Sequence, residues 1–276
     1  MSQEENLGEV RQYQRLVDFF LGDSGVVVAF SGGVDSSLLL AAATDALGDK
    51  ALGVTICSPF SLPEEIEQAK STATFLHARH ILVDMDELEN PSIRSNPADR
   101  CYHCKLMRFS ALKAIAKENS IESLVEGSCI DDLADYRPGL RAVRELGIRS
   151  PLLELDISKD EIRRLSQYRK IPGWSRPSNS CLATRVPYGQ SLDLARLAKI
   201  ASAESLLSNL GFEQVRVRDY NEMAVLEVRP DSVPRVTSLR QEISSALRQL
   251  GFTRICVDLE GYRTGSMNIS ISMDKQ

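Results

Sequence analysis

The sequence predicts an α/β fold: a mostly parallel sheet with helices on both faces, followed by a small C-terminal α+β domain. Three observations carry this. Short apolar runs alternate with segments of helical period through the first 170 or so residues, and parallel strands need crossovers of that length. A glycine-rich loop, Ser31-Gly32-Gly33-Val34-Asp35-Ser36, lies between the first apolar run and the apolar helix that starts the alternation. Beyond residue 190 the texture changes, and Leu210-Gly211-Phe212 and Leu250-Gly251-Phe252 each close a helix and open a strand.

In chain order, an amphipathic helix spans about 5–21, and Gly25 to Phe30 reads as a strand. The apolar helix around Leu38 to Ala43 follows the glycine loop. Ala51 to Cys57 is the second strand, Ser61-Leu62-Pro63-Glu64 a capping-box start for a helix reaching His77, and Arg79 to Val83 the third strand. A helix over Lys105 to Lys117, a strand over Glu122 to Glu126 and a short strand near Ser150 to Leu153 come next, and Ser158-Lys159-Asp160-Glu161 caps a further helix. The proline-rich stretch from Ile171 to Gln190 links to the tail, giving expected domains of 1–188 and 189–276. The tail is predicted as helix-strand-strand-helix-strand, with VRVRD and ICVDL as two of its strands.

Composition narrows the function. The chain has 276 residues, is 43% hydrophobic and 26% charged, and carries a formal charge of -5, with a sequence pI near 5.4. No global positive field exists to attract nucleic acid or an anionic membrane, so a small-molecule substrate is expected. No apolar run approaches the ~20 residues a membrane helix needs, and the acidic start MSQEENLGEV is unlike a targeting peptide. A cytoplasmic enzyme is the expectation. In that reducing compartment the six cysteines are not expected to be disulfide staples, which leaves metal, cluster or redox chemistry for those that are closely spaced.

The glycine loop suits a phosphate. Gly32 and Gly33 permit a tight turn with bare N–H groups, Ser31, Ser36 and Ser37 offer hydroxyls, and the helix that follows presents its positive end. Asp35 points instead to Mg2+ or a helix cap. Without a G-K-[ST] ending the loop is not of Walker type. S-G-G-V-D-S resembles the signature of the PP-loop, or ATP pyrophosphatase, superfamily. That resemblance implies an adenine nucleotide alpha hydrolase-like domain that splits ATP to AMP and pyrophosphate while adenylylating a substrate. A second constellation, Glu126-Gly127-Ser128 followed by Asp131, Asp132 and Asp135, is a run of carboxylates that needs a hard cation or a basic partner. Magnesium at Asp35, Asp131 and Asp132, with Gly127 against the nucleotide, is the expectation.

Cys101-Tyr102-His103-Cys104 falls just before the Lys105 helix, and Cys181 lies in the proline-rich segment, flanked by Arg176 and Arg185. A helix start and neighbouring cations both favour a nucleophilic sulfur. Cys57, Cys129 and Cys256 read as small buried hydrophobes. Arg216 and Arg218 leave one face of a strand, with Glu227 on the next, and two guanidiniums on one face suit a phosphate; Arg137, Arg141, Arg185 and Arg263 are further basic candidates.

Together, S-G-G-V-D-S, G-S-C-I-D-D-L-A-D-Y-R-P-G, S-C-L-A-T-R-V-P-Y-G, V-R-V-R and D-L-E-G-Y-R-T-G-S-M-N resemble the LarE family of ATP-dependent sulfur transferases over nearly the whole chain. The resemblance implies adenylylation of the carboxylates of pyridinium-3,5-biscarboxylic acid mononucleotide and their conversion to thiocarboxylates for a nickel-pincer nucleotide cofactor. It implies that Cys181 carries the sulfur, that Arg216 and Arg218 hold the substrate's phosphate, and that the protein is a homo-oligomer, with a hexamer as one arrangement. In sacrificial members that cysteine surrenders its own sulfur. C-Y-H-C at 101–104 resembles a second subgroup, in which three cysteines, here Cys101, Cys104 and Cys181, hold a 4Fe-4S cluster recharged by a sulfide or persulfide donor. A zinc site completed by His103, thiols without a metal, sacrificial transfer from Cys181, tRNA thiolation and a non-catalytic nucleotide- or cluster-carrying role are the alternatives at this point.

Overall fold

A computed structural model describes residues 3–134, 137–176 and 179–263. The chain divides into two compact units, Met1–Met85 with Cys101–Asn179 and Asp86–Arg100 with Ser180–Gln276. Two stretches that the sequence had assigned to the first unit, 86–100 and 180–188, therefore group with the second. The elements are α1 (Gln3–Asp18), β1 (Val26–Ala29), α2 (Val34–Leu47), β2 (Ala51–Cys57), α3 (Pro63–Phe75), β3 (Arg79–Asp84), α4 (Pro91–Arg94), α5 (Arg100–Glu118) and β4 (Ser123–Val125). They continue with α6 (Gly139–Glu145), α7 (Pro151–Glu154), α8 (Lys159–Tyr168), α9 (Leu194–Asn209), β5 (Val215–Tyr220), β6 (Met223–Val228), α10 (Val233–Ser238), α11 (Arg240–Gln249) and β7 (Arg254–Val257).

The first unit is built on a parallel four-stranded sheet of order β3-β2-β1-β4. Alternation along β1 decides its layering. Val26 and Val28, with Phe30 just beyond, enter a core with Leu16 of α1, Leu38 to Leu40 of α2 and Ile162 and Leu165 of α8. Val27 faces the other way, into a core with Phe109 and Leu112 of α5. Both faces are thus covered, as the alternating sequence predicted. Helix α2 is apolar all round because Leu38 through Ala43 are all buried, each leucine contributing about 1.5–3 kcal/mol.

Local chemistry moved several boundaries. Helix α5 begins at Arg100, so Cys101 lies in its first turn and Cys104 just beyond it, and not in a loop before it; no Gly or Pro interrupts 100–118. The expected strand near Ser150 is instead the helical turn α7, because Pro151 at its first position presets a helical φ. Only a single bridge, Val125 to Arg149, remains of it. At α3 the cap is Leu62 in place of Ser61: Pro63 takes the first helical position, and Glu65 Oε2 accepts the Leu62 N–H at 3.1 Å. The capping box of α8 forms as expected, with Ser158 Oγ accepting from Glu161 N at 3.3 Å and Glu161 Oε2 from Ser158 N at 2.8 Å.

In the second unit, β5 and β6 form an antiparallel hairpin and β7 joins β6 in parallel. Asn221 takes the left-handed conformation at the hairpin turn (φ 65°). The core gathers Leu207 of α9, Val217, Leu226 and Val228 of the hairpin, Ile243 and Leu247 of α11, and Phe252. Segment 86–100 is tied in by its backbone: Gly189 N donates to Asn96 O and Leu192 N to Arg94 O, both at 2.8 Å. No helix among the described residues is long and apolar enough to cross a membrane.

Candidate active site

The chain leaves the sheet at Phe30 and turns into α2 through the glycine loop. Gly32 is left-handed (φ +75°), and a Cβ there would lie 2.9 Å from the backbone of Ala69 in α3. Only glycine meets both demands. Ser36 Oγ knits the turn, accepting from Ser31 N at 3.2 Å, lying 3.1 Å from Ser31 Oγ and donating to Gly33 O at 3.1 Å. Gly33 caps α2 without any side-chain bond, so the helix start offers N–H groups at the surface beside the exposed Ser31 and Gly33. Gly127 closes against this start, its place for a Cβ being 3.3 Å from Ser36 N. Ser37 does not join the loop surface: its hydroxyl is enclosed and makes no hydrogen bond among the described residues, one turn into the buried helix.

The acidic residues converge on a lysine. Lys159 Nζ pairs with Asp35 and lies 3.7 Å from Asp132 Oδ1, and the Lys159 backbone N–H donates to Asp131 Oδ2 at 2.8 Å. Arg137 adds a second cation, 3.0 Å from Asp132. Burial pulls the Lys159 ammonium down, but Asp35 and Asp132 outweigh it and hold the group above its ordinary value. The basic partner that these carboxylates required is therefore present, and no three His, Cys, Asp or Glu side chains among the described residues are arranged to hold a metal ion. Asp135 lies outside the described residues.

Glu126 is buried beneath the same loop. Its carboxylate accepts from Ser150 Oγ at 2.6 Å, from Ser128 N and Oγ at 3.0 and 2.8 Å, and from Lys105 Nζ at 3.2 Å. Burial pushes this carboxyl up, yet Lys105, Ser150 and Ser128 together bring it below its usual range. A depressed folded value means stability that is present above about pH 4.3 and is lost as pH falls through the folded value. Glu126→Gln is accordingly expected to cost about 2–3 kcal/mol at pH 7, and to flatten the acid limb of a urea-midpoint profile between pH 6 and 3. An unchanged acid limb would show that the carboxylate is not the group responsible.

In the second unit the arginines form a buried array. Arg185, 0% exposed, makes a two-point fork to Glu204 at 2.8 and 2.9 Å. Its Nη1 holds the 180–184 turn through Ser180 O at 2.6 Å, Cys181 O at 3.1 Å and Thr184 Oγ1 at 3.0 Å. Arg218 forks to Glu227 at 2.9 and 2.8 Å and donates to Thr184 O at 2.6 Å. Arg216 sits opposite Glu227 in the hairpin register, with its guanidinium 5.3 Å from the Tyr262 ring. Burial first, then Arg185, lower the Arg216 guanidinium below its ordinary value.

The cation at the Cys181 sulfur is neither flanking arginine. Arg100 Nη2 donates to Cys181 Sγ at 3.9 Å, while its Nη1 bonds Asn96 and Ala183 O. Arg176 turns to Gln68 within the first unit. Arg141 stacks on Tyr102 at 3.5 Å and pairs with Glu145, and Arg263 pairs with Asp258 and Glu260, so these two are engaged locally. Cys129 is buried as expected, whereas Cys57 is half-buried and Cys256 exposed on the edge strand β7. Sequence reading missed Lys159, Arg100 and Glu204. The first two act on partners 124 and 81 residues away, beyond any local pattern. Glu204 left a readable trace, a carboxylate on the apolar stripe of α9 between Ile200, Ala203 and Leu207.

A glycine loop opening onto a helix start, behind the central part of a parallel α/β sheet, defines an enzyme of the PP-loop class. A family model for NAD synthase matches residues 12–119, and a glutamine-hydrolyzing GMP synthase chain of Saccharolobus solfataricus is 28% identical over 55% of this chain and 45% of its own. Other relatives extend through both units. An uncharacterized protein of Synechocystis is 38% identical, with 92% of this chain and 96% of the relative covered. Pyridinium-3,5-bisthiocarboxylic acid mononucleotide synthase of Lactiplantibacillus plantarum is 36% identical, with 90% of each covered. The chain belongs to the LarE family and is an ATP-dependent sulfur transferase.

Proposed function

We propose that this enzyme converts the carboxylates of pyridinium-3,5-biscarboxylic acid mononucleotide to thiocarboxylates for a nickel-pincer nucleotide cofactor, as a cytoplasmic homo-oligomer. The observation that carries the reading is the 36% identity to the bisthiocarboxylic acid mononucleotide synthase over 90% of both chains. In this reading Ser31, Gly32, Gly33 and Ser36 receive the β,γ-pyrophosphate of ATP, with Gly127 alongside. A substrate carboxylate oxygen attacks the α-phosphorus and pyrophosphate leaves; a sulfur nucleophile then attacks the acyl carbon and AMP leaves. Donors fixed at the helix start stabilise the charge on the departing pyrophosphate.

Arg216 and Arg218 receive the substrate's phosphate. The lowered Arg216 value supports this, since a dianion beside it would relieve the cost of its buried charge. Magnesium would reach Asp35, Asp131 and Asp132 only by displacing Lys159, which can follow the incoming phosphates because its side chain is part-exposed.

Cys181 carries or presents the sulfur. Thiolate donors at Cys101, Cys104 and Cys181 suit a 4Fe-4S cluster in kind, and Cys101 and Cys104 share a helix face at i, i+3. Cys101, Cys104 and Cys181 would hold such a cluster, and it would supply an iron-held sulfide for delivery that added sulfide would replace. The chain's own contribution is to hold Cys181 by Arg100 and the 180–184 turn by Arg185.

The test is anaerobic protein mixed with ATP, magnesium, sulfide and the biscarboxylate mononucleotide, followed by pyrophosphate, product mass and intact-protein mass. Substrate-stimulated pyrophosphate release with a thiocarboxylate product is expected; its absence would overturn the reading. Repeated turnover with intact Cys181 favours the cluster, and loss of H2S from Cys181 after one event favours sacrificial transfer.

A further inference from the structure

The phosphate loop departs from β1 where the sheet's own hydrogen bonding stops. Phe30 N still donates to Val54 O at 2.9 Å, but the Phe30 carbonyl is taken by a side chain: Thr55 Oγ1, buried in β2, donates to it at 2.6 Å. A hydroxyl carries one proton. Because that proton goes to Phe30, the 2.8 Å contact between Thr55 Oγ1 and His80 Nε2 is a bond in which His80 donates, which assigns the Nε2–H tautomer. The His80 ring also meets the Phe30 ring edge-on, with centroids 5.3 Å apart. His80 lies on the edge strand β3. Burial, then Lys70, keep its imidazole below the ordinary value, and either charge state retains the Nε2–H.

The Phe30 carbonyl and the Ser31 N–H belong to one peptide plane. Fixing the first aims the second, and Ser31 N is the donor that Ser36 Oγ receives at the mouth of the loop. We infer that Thr55 and His80 are positioning residues for the phosphate loop, a relay running from His80 through Thr55 and the Phe30 carbonyl to Ser31 that sets the loop's pose before nucleotide arrives. Binding constellations lose their grip when misplaced by more than ~0.5 Å, and one hydroxyl at the root of the loop is well placed to impose that tolerance.

This inference rests on the loop being the pyrophosphate site. Its test measures the affinity of inorganic pyrophosphate, ATP and AMP by calorimetry for wild type, Thr55→Val and Thr55→Ser, with kcat and KM for ATP beside them. Thr55→Val is expected to weaken pyrophosphate and ATP binding about tenfold, the effect of one lost hydrogen bond. AMP affinity and kcat are expected to move less than about twofold on the same scale, with Thr55→Ser restoring wild-type behaviour. Unchanged pyrophosphate affinity, or an equal loss for AMP, overturns the relay. If Thr55→Val does not fold, His80→Leu, which leaves the Thr55 to Phe30 bond in place, is expected to show a smaller loss of the same selectivity, and no loss there overturns it. Wild-type protein that binds neither ATP nor pyrophosphate would sink the loop reading and the relay together; wild-type binding with an unaffected variant sinks the relay alone.

Discussion

Glu204→Gln is expected to destabilise the second unit by about 3–5 kcal/mol, the cost of leaving one member of a buried ion pair without its counter-charge. Arg185 and Glu204 are both almost wholly buried, and their two-point fork is the strongest geometry available to a guanidinium and a carboxylate. Removing the negative charge does more than delete a contact. Arg185 remains in the interior, close enough to Arg216 to lower that group's value, so the substitution increases uncompensated positive charge in one small volume. Glu204 Oε1 also receives the Val217 N–H at 2.9 Å, which joins α9 to β5. The measurement is urea unfolding of the whole chain, followed by hydrogen exchange resolved to residues 194–257. Loss of protection concentrated there is expected, and a penalty below about 1 kcal/mol would place the pair among those that barely offset their own desolvation.

Gly32→Ala is expected to abolish nucleotide-dependent pyrophosphate release, by at least about 100-fold, a misplacement cost typical of a site shifted by ~1 Å. Two penalties act at once. An alanine at φ +75° is strained, and its methyl would sit 2.9 Å from the Ala69 backbone, which belongs to a helix and cannot yield as a side chain would. The loop must move, while the sheet and α2 beneath it keep their packing, so melting is expected to change little. ATP binding measured directly separates the two consequences. Wild-type affinity in Gly32→Ala would show that the loop's shape does not govern the phosphates.

The fold was largely legible because its period was. Alternation of strands and helices gave the parallel sheet, the two Leu-Gly-Phe steps located the ends of α9 and α11, and Ser158 to Glu161 marked a helix start that formed as written. Misreadings came where a single residue outweighed a pattern: Pro151 converted an apolar strand-like run into a turn of helix, and Pro63 moved a cap by one position. The site was legible to the extent that it is local. The glycine loop is contiguous, and strand register puts Arg216 opposite Glu227 and Arg218 two places along on the same face. Long-range partners were not, since nothing near Asp35 announces Lys159 and nothing near Cys181 announces Arg100. Flanking charge was a poor guide to the sulfur's surroundings because Arg185 spends its donors on carbonyls, hydroxyls and Glu204, and Arg176 turns away to Gln68.

Residues 86–100 belong with a unit whose remainder starts at Ser180. Asn96 donates to Val186 O at 3.2 Å and to Pro187 O at 2.9 Å, and Arg100 braces Ala183 O and Cys181, so this short piece is structural to the segment that bears Cys181. On a ribosome it emerges some eighty residues ahead of its partners and must wait for them. A gene fragment encoding 180–276 alone would lack the brace, and one proteolytic cut cannot release either unit whole. The two units are interleaved in sequence, so neither is encoded by one contiguous stretch.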